Sequence, residues 1–249
     1  MTLIYGVDVG GSGIKGAPVD LAAGVLAKKR TRIPTPQPST PGAVLDVIEE
    51  LLAEDEWAGP LGVAIPAVVV GGVARTAANI DDSWIDTDVA AELSQRRGRE
   101  VVVLNDADAA GLAEMRYGAG RAADGVVIVL TFGTGVGSGM FVDGALVPNT
   151  ELGHMEFRGE AAELSTAARL VEDDEMSLKR WAKRVNRYLL LIHRVFSPQR
   201  IIMGGGISKQ FEQFATWLDV GCEIVPAELR NQAGIVGAAV AASLGKDRP

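Results

Sequence analysis

Short apolar runs alternate along the chain with segments whose apolar residues recur at helical spacing. Runs rich in Val and Ile and bounded by turn residues are typical of buried strands. They predict strands over residues 3–9, 14–20, 25–33, 61–66, 99–105, 125–131 and 199–204. Apolar residues three and four apart predict helices over 43–57, 87–97, 106–116, 177–196, 207–218 and 233–244. Strands that alternate with helices indicate an α/β protein.

The segment around the first glycine cluster recurs half a chain later. Residues 8–20, DVGGSGIKGAPVD, align with residues 131–143, TFGTGVGSGMFVD. Gly10 then matches Gly133 and Asp20 matches Asp143, an offset of 123 in a chain of 249 residues. A fixed offset near half the length suggests duplication of one α/β unit. We therefore expect two similar domains, each opening with a glycine hairpin, that face each other across a cleft.

The two glycine clusters could be simple hairpin turns, or they could bind phosphate. Glycine lets backbone N–H groups approach phosphate oxygens, and further donors are available from Lys15 and from the hydroxyls of Ser12, Thr134 and Ser138. Strand-like residues follow each cluster, whereas a dinucleotide fingerprint needs a helix there, and no GxxxxGK[ST] occurs. Asp8, before the first cluster, could hold Mg²⁺ directly or through water, or could only cap the turn.

Polar residues also follow other predicted strands. Asp106 could be only a helix cap, but ligands of α/β sheets bind at strand carboxyl ends, where an Asp can accept the proton of an attacking hydroxyl. Asn105 beside it offers a donor and an acceptor. Glu151 and His154 lie three residues apart, and hydrogen bonding to a sugar fits them better than metal ligation, since no third ligand of the usual spacing follows. The cluster GGGISK, 204–209, could face backbone amides toward an anion.

Together these segments resemble the ROK family of sugar kinases, in the superfamily that also holds hexokinase, actin and Hsp70 chaperones. The similarity is greatest to the polyphosphate-dependent branch of the family. The matching stretches occur in the family's order and span residues 6–239: DVGGSGIKGAPVD, RTRIPTPQPSTP, TAANIDDSW, VVLNDADAAGLAE, TFGTGVGSGMFVDGALVPNTELGH, SLKRWAKRVNRYL, GGGISK and NQAGIVGAA.

The resemblance implies phosphoryl transfer from inorganic polyphosphate, with ATP as a further donor, to the 6-hydroxyl of glucose, with Mg²⁺ as cofactor and mannose as a further acceptor. It also implies a homodimer and an α/β fold of two actin-like (ribonuclease H-like) domains, residues 1–108 plus 234–249 and residues 109–233. Two alternatives stay open: a strictly ATP-dependent hexokinase or glucomannokinase, and a non-catalytic sugar sensor on the same fold.

The resemblance further implies roles for individual residues. Asp106 matches the catalytic base of the family. The sugar-binding positions correspond to Asn105, Asp106, Glu151, His154, Glu163 and Asn79. The two phosphate motifs correspond to Asp8, Gly10, Gly11, Ser12, Gly13 and Lys15, and to Thr131, Gly133, Thr134 and Gly135. The glycine turn on the donor side corresponds to Gly204, Gly205, Gly206 and Lys209.

Two differences from typical family members indicate to which branch of the family this chain is most similar. Typical members bind zinc through a His and a cysteine-rich segment, whereas this chain has MEFRGEAAEL there, so we expect no zinc site. Family repressors carry an N-terminal DNA-binding domain, whereas the first strand here is predicted from residue 3. We therefore expect neither a repressor nor a nucleic-acid partner.

Composition adds a location and a charge asymmetry. A single cysteine, no apolar run of the ~18 residues that a membrane span needs and no signal-like start predict a cytoplasmic protein without a membrane partner. The net charge of −8 is an average, because residues 176–211 hold eight basic and no acidic residues, which leaves 16 basic and 32 acidic residues elsewhere. The basic helix could be a solvated face or could hold a chain of phosphates. Its candidates are Lys179, Arg180, Lys183, Arg184 and Arg187.

Overall fold

The computed structural model describes residues 2–77, 80–173 and 175–245. The strands are β1 (Leu3–Gly10), β2 (Gly13–Asp20), β3 (Val25–Leu26), β4 (Thr31–Ile33), β5 (Leu61–Ile65), β6 (Val69–Val70), β7 (Val73–Ala74), β8 (Val101–Asn105), β9 (Val126–Phe132), β10 (Val136–Val142), β11 (Ala145–Val147), β12 (Glu156–Phe157), β13 (Glu160–Ala161), β14 (Arg200–Gly204) and β15 (Glu223–Pro226). The helices are α1 (Pro41–Glu54), α2 (Val89–Arg97), α3 (Asp106–Tyr117), α4 (Ala162–Thr166), α5 (Arg169–Glu172), α6 (Leu178–Phe196), α7 (Phe211–Phe214) and α8 (Ala233–Leu244). Among the residues described, no helix combines the length and the apolarity that a membrane span requires.

The chain divides into two compact units, Met1–Ala113 with Gln232–Pro249 and Glu114–Asn231. In the first unit the sheet order is β3-β2-β1-β5-β8, with β4 also paired to β2. Strand β1 is antiparallel to β2 and parallel to β5, which is parallel to β8. One apolar cluster joins this sheet to α1 and α2, and a second, alanine-rich cluster joins it to α3 and α8.

Glycines let α8 lie unusually close to the first sheet. A Cβ atom on Gly6 would come within 1.9 Å of the Ile235 carbonyl oxygen, and one on Gly62 within 1.9 Å of the Ala238 carbonyl oxygen. No side chain fits at either position without moving the helix backbone. The helix is therefore an integral layer of the first unit, although it lies far along the chain from β1.

The second unit repeats this topology. Its sheet order is β11-β10-β9-β14-β15, with the first two neighbouring pairs antiparallel and the last two parallel. Helix α6 supplies much of the core, where Trp181, Val185 and Tyr188 are fully buried in one cluster with Phe132 of β9. The same order of strands in both units agrees with the internal duplication suggested by the glycine segments.

Two predicted elements are broken in the structure. The single strand predicted over 25–33 is instead two short strands, β3 and β4, each of which pairs with a different end of β2. Between those ends lies Pro18, which has no N–H to donate to a continuous partner strand. The helix predicted over 207–218 is a succession of short turns around α7, with 3-10 helices before and after it. Its apolar residues Phe211, Phe214 and Trp217 recur every three positions, the period of a 3-10 helix.

The helix predicted over 43–57 ends earlier, at Glu54. Glu56 adopts a left-handed φ of 49°. The Trp57 amide donates back to the Leu52 carbonyl at 2.8 Å, a bond that closes the last turn of the helix.

Candidate functional site

The first glycine cluster is a two-residue hairpin turn held from behind by β4 and the following loop. Gly10 pairs with Gly13, which leaves Gly11 and Ser12 at the exposed tip. Arg32 donates from Nη2 to the Ser12 carbonyl at 2.7 Å, and the Thr35 hydroxyl donates to the Gly10 carbonyl. Sequence reasoning assigned no role to Arg32 or Thr35, although both lie in RTRIPTPQPSTP, a stretch on which the family resemblance rests.

Asp8 and Lys15 face each other across the same hairpin. They are register partners, and Lys15 Nζ lies 3.2 Å from Asp8 Oδ2, so each charge is partly offset by the other. The other carboxylate oxygen, Oδ1, lies beside Gly234, where an added Cβ would come within 2.9 Å of it. Only glycine at 234 allows α8 to pack this closely against Asp8. The carboxylate keeps part of its surface exposed and is a hard oxygen donor, of the kind that holds Mg²⁺ together with water.

Asn105 and Asp106 mark the carboxyl end of β8, at the same sheet edge as Asp8. The Asn105 side chain is buried, accepts the Ala107 and Asp108 amides at 2.8 and 3.0 Å, and donates to the Ala67 carbonyl at 3.2 Å. Both lone pairs of its oxygen are therefore used, so Asn105 can offer a ligand only its second N–H. Asp106 is half-buried, and its Oδ1 accepts the Ala107 amide at 2.8 Å, which fixes the carboxylate.

The second glycine cluster is a three-residue loop, Gly133–Gly135, between the paired residues Phe132 and Val136. The Gly133 amide donates to the Gly135 carbonyl at 3.0 Å, and the Arg169 amide donates to the Gly133 carbonyl at 3.1 Å. Thr131 precedes this loop in β9 and Thr134 is exposed within it.

The suggestion that the Ser138 hydroxyl helps to clamp phosphate is wrong. Ser138 is buried, its hydroxyl donates to the Thr150 carbonyl, and the same oxygen accepts the Leu152 amide at 2.9 Å. The side chain faces inward because residues of β10 alternate between the two faces of the sheet. Ser138 therefore fixes the turn that carries Glu151 rather than a ligand.

Glu151, His154 and Glu163 form one cluster in the second unit. His154 Nδ1 lies 3.8 Å from Glu151 Oε2, and His154 Nε2 lies 3.6 Å from Glu163 Oε1. Burial raises the pKa of Glu151; the charge of His154 lowers it and that of Glu163 raises it further. All three side chains keep part of their surface exposed, so the cluster can exchange hydrogen bonds with a polyol.

This cluster contacts the second glycine loop directly. Glu163 Oε2 accepts the Val136 amide at 3.2 Å, and a Cβ on Gly135 would lie 2.4 Å from the same oxygen. A Cβ on Gly153 would lie 2.1 Å from the Val136 carbonyl oxygen, so the Glu151–His154 turn packs against backbone that only glycine allows.

The turn after β14 lies beside the same loop, because Gly204 is the register partner of Thr131. Gly205 has a φ of 84°, and a Cβ there would come within 2.0 Å of the Phe132 carbonyl oxygen. Gly206 begins a 3-10 helix on which Lys209 is exposed. The structure therefore brings Thr131, the second glycine loop and the donor-side turn to one sheet edge.

Helix α6 starts at its cap Ser177, whose hydroxyl accepts the Arg180 amide. Its buried face ties it to the neighbouring site: Trp181 donates to the Thr166 carbonyl at 2.8 Å, and Tyr188 donates to the Leu152 carbonyl at 2.8 Å. The opposite, basic face carries Lys179, Arg180, Lys183, Arg184 and Arg187.

Arg184 is the most enclosed of these cations. Desolvation lowers the pKa of Arg184, and the nearby charges of Arg158 and Arg180 lower it further. Arg158, on the β12–β13 turn, was missed in the sequence because only the fold brings it to the helix. Lys179 lies on the other flank, 5.8 Å from the Trp217 ring centroid.

Asn79 lies outside the described residues. Within residues 2–77, 80–173 and 175–245, no group of three or more His, Cys, Asp or Glu side chains is arranged to hold a metal ion.

The chain is similar to known proteins over most of its length. The model of the ROK family matches residues 4–166. A polyphosphate glucokinase of Mycobacterium tuberculosis (strain CDC 1551 / Oshkosh) is 50% identical over 241 residues, which is 95% of this chain and 90% of that protein.

Two solved structures extend the comparison. The inorganic polyphosphate/ATP-glucomannokinase from Arthrobacter sp. strain KM is 47% identical with a TM-score of 0.93, over 98% of this chain and 99% of that one. A ROK family glucokinase from Streptomyces griseus, in complex with glucose and AMPPNP, is 25% identical with a TM-score of 0.82, over 98% and 100%. The chain has the two-domain, actin-like α/β fold of these kinases. It belongs to the ROK family.

Proposed function

We propose that this chain is a glucokinase that transfers the terminal phosphoryl group of inorganic polyphosphate, and of ATP, to the 6-hydroxyl of glucose. The observation that carries the proposal is the contact of Glu163 with the Val136 amide, because it joins a cluster suited to sugar hydroxyls to a glycine loop suited to phosphate. The 50% identity to a polyphosphate glucokinase over 95% of the chain supports the reaction, and the name of the Arthrobacter enzyme supports both donors and a second acceptor, mannose.

Asp106 acts as the general base in this proposal. Its fixed, half-buried carboxylate at the end of β8 accepts the proton of the 6-hydroxyl as that oxygen attacks phosphorus. Asn105 donates one N–H to the sugar, while Glu151, His154 and Glu163 accept or donate further hydrogen bonds. Asn79 is assigned to the sugar by the family resemblance alone.

The two glycine loops hold the phosphates through their backbone amides, and the donor-side turn with Lys209 extends this contact. The residues around Asp8 suit Mg²⁺, which when bound neutralises charge on the phosphates. Lys15 keeps Asp8 in place and adds positive charge at the first hairpin. The two domains of this proposal comprise residues 1–108 plus 234–249 and residues 109–233.

The basic face of α6 binds polyphosphate beyond the transferred group. Burial and the charges of Arg158 and Arg180 lower the pKa of Arg184, although the charge of Glu160 raises it. A chain of phosphates would supply the negative charge that favours the charged guanidinium. The helix begins beside the second loop, since Trp181 packs edge-on against Phe132 with ring centroids 5.6 Å apart. The cytoplasmic location and the homodimer expected from the sequence and the resemblance are part of the same proposal, as is the absence of a zinc site and of a nucleic-acid partner.

The direct test is glucose 6-phosphate formation by the purified protein with Mg²⁺, comparing polyphosphate and ATP as donors and glucose and mannose as acceptors. We expect turnover with polyphosphate and glucose. Turnover with ATP alone would replace the proposal by an ATP-dependent hexokinase or glucomannokinase. Sugar binding without turnover for either donor would favour a sensor.

A further inference from the structure

The backbone of Val136, directly after the second glycine loop, is held by the two segments that carry the sugar candidates. Its amide donates to Glu163 Oε2 at 3.2 Å, and its carbonyl lies against Gly153 of the Glu151–His154 turn. Val136 is also the residue that pairs with Phe132 to close the loop. The end of the loop is thus held in place by Glu163 and by the turn that carries Glu151 and His154.

Glu163 connects the two sites through a single carboxylate. Oε1 lies 3.6 Å from His154 Nε2, on the side of the sugar cluster, while Oε2 contacts Val136 and Gly135, on the side of the loop. A carboxylate is planar and rigid, so a ligand that fixes one oxygen also fixes the other. Its hydrogen bond to an amide is charge-assisted and therefore stronger than a neutral one.

We propose that Glu163 is a positioning residue for the phosphoryl donor: a sugar held by Glu163 and His154 fixes the carboxylate, which in turn fixes the Val136 amide and the loop Gly133–Gly135. The inference rests on the proposed function and adds an order of binding to it, with the sugar before the phosphoryl donor. The loop reaches its phosphate-binding geometry when the acceptor is present, which favours transfer to sugar over transfer to water.

The alternative is that Glu163 only binds sugar and that its contact with Val136 is local packing. The variants E163Q and E163A separate these roles. Glutamine keeps an oxygen that can accept the Val136 amide but loses the charge, whereas alanine loses both. A role confined to sugar binding predicts similar donor kinetics in the two variants, and a positioning role predicts a difference between them.

Hydrogen exchange of the Val136 amide tests the link without turnover. We expect exchange about tenfold faster in E163A than in the wild-type protein, as for loss of a hydrogen bond to a charged group, and a smaller change in E163Q. Saturating glucose should slow this exchange in the wild-type protein and leave it unchanged in E163A. Equal protection in all three proteins, or a glucose effect that persists in E163A, would overturn the inference.

Steady-state kinetics supply the second arm. We expect both variants to raise the KM for glucose, but only E163A to raise the KM for polyphosphate, by about tenfold, the scale of one lost hydrogen bond to a charged group. Equal polyphosphate KM values in E163A and E163Q would contradict positioning. If the wild-type protein forms no glucose 6-phosphate with any donor, the proposed function fails instead, so the two failures are distinguishable.

Discussion

The two units have the same strand order but support their glycine loops with opposite charges. Behind the first hairpin, the guanidinium of Arg32 donates to a carbonyl at the tip. Behind the second loop, the carboxylate of Glu163 accepts an amide at the base. The same strand order thus supports one glycine loop with a cation and the other with an anion.

The difference extends to the strand ends. In the first unit, β8 leads directly into α3 with Asp106 as its first residue, whereas in the second unit the equivalent strand β15 ends at Pro226. The connection between β11 and β14 in the second unit, residues 148–199, holds the sugar cluster and the basic helix, whereas the corresponding connection between β3 and β5 in the first unit, residues 27–60, holds β4 and α1. The first unit therefore supplies the proposed base together with Asn105 and the first hairpin, and the second supplies the proposed sugar cluster, the second glycine loop and the basic helix.

The largest expected effect tests whether Asp106, in the first unit, is the general base. D106N keeps an oxygen that can accept the Ala107 amide but removes the basicity, so kcat should fall about 10²- to 10⁴-fold with the fold unchanged by circular dichroism. The matched control is E228Q, the same chemical change at an exposed carboxylate just beyond β15. Near-normal turnover in D106N would remove Asp106 from this role.

An intermediate effect tests the close packing that distinguishes the second unit. In G153A the new Cβ meets the Val136 carbonyl oxygen at 2.1 Å, and overpacking of this kind costs about 1–3 kcal/mol. A loss of 1 kcal/mol lowers Tm by about 2–4 °C in a chain of this size. G133A is the control for stability, since a Cβ there meets nothing within 4 Å. Equal Tm values for the two variants would show that the Glu151–His154 turn does not depend on this contact.

The smallest effect concerns the charge of α6. R184E should raise the KM for polyphosphate by about tenfold, the scale of one charge-assisted contact, and leave the KM for glucose nearly intact. The rise should shrink at high salt because exposed charges are screened. R99E makes the same change of net charge at an exposed position of the first unit. If R99E raised the polyphosphate KM equally, net charge rather than the α6 face would govern donor binding.

Local signals predicted the regular elements well. The glycine hairpin of β1 and β2, the strand–helix junction at Asp106 and helix α6 all appear close to their predicted limits, because each has a strong period and a clear end. The pairing of β3 and β4 with opposite ends of β2 could not be read from residues 25–33. It depends on Pro18, which lies on the partner strand.

The sequence selects candidate residues of the site by their type and leaves their orientation open. The pattern singled out Asn105, but not that two backbone amides occupy its oxygen. It offered the Ser138 hydroxyl as a donor to phosphate, but it did not show that this side chain is buried. Arg32 and Arg158 act on groups distant in the sequence, and no local period marks such contacts.

The place of α8 has a consequence for the synthesis of the protein. The second unit is continuous in the chain, whereas the first unit needs a helix that is translated more than a hundred residues after its own sheet. Until Ile235 and Ala238 emerge from the ribosome, the backbone at Gly6 and Gly62 has no helix packed against it. The unit that is translated first is therefore completed last, and in a nascent chain stalled before residue 233 this face of the sheet stays uncovered.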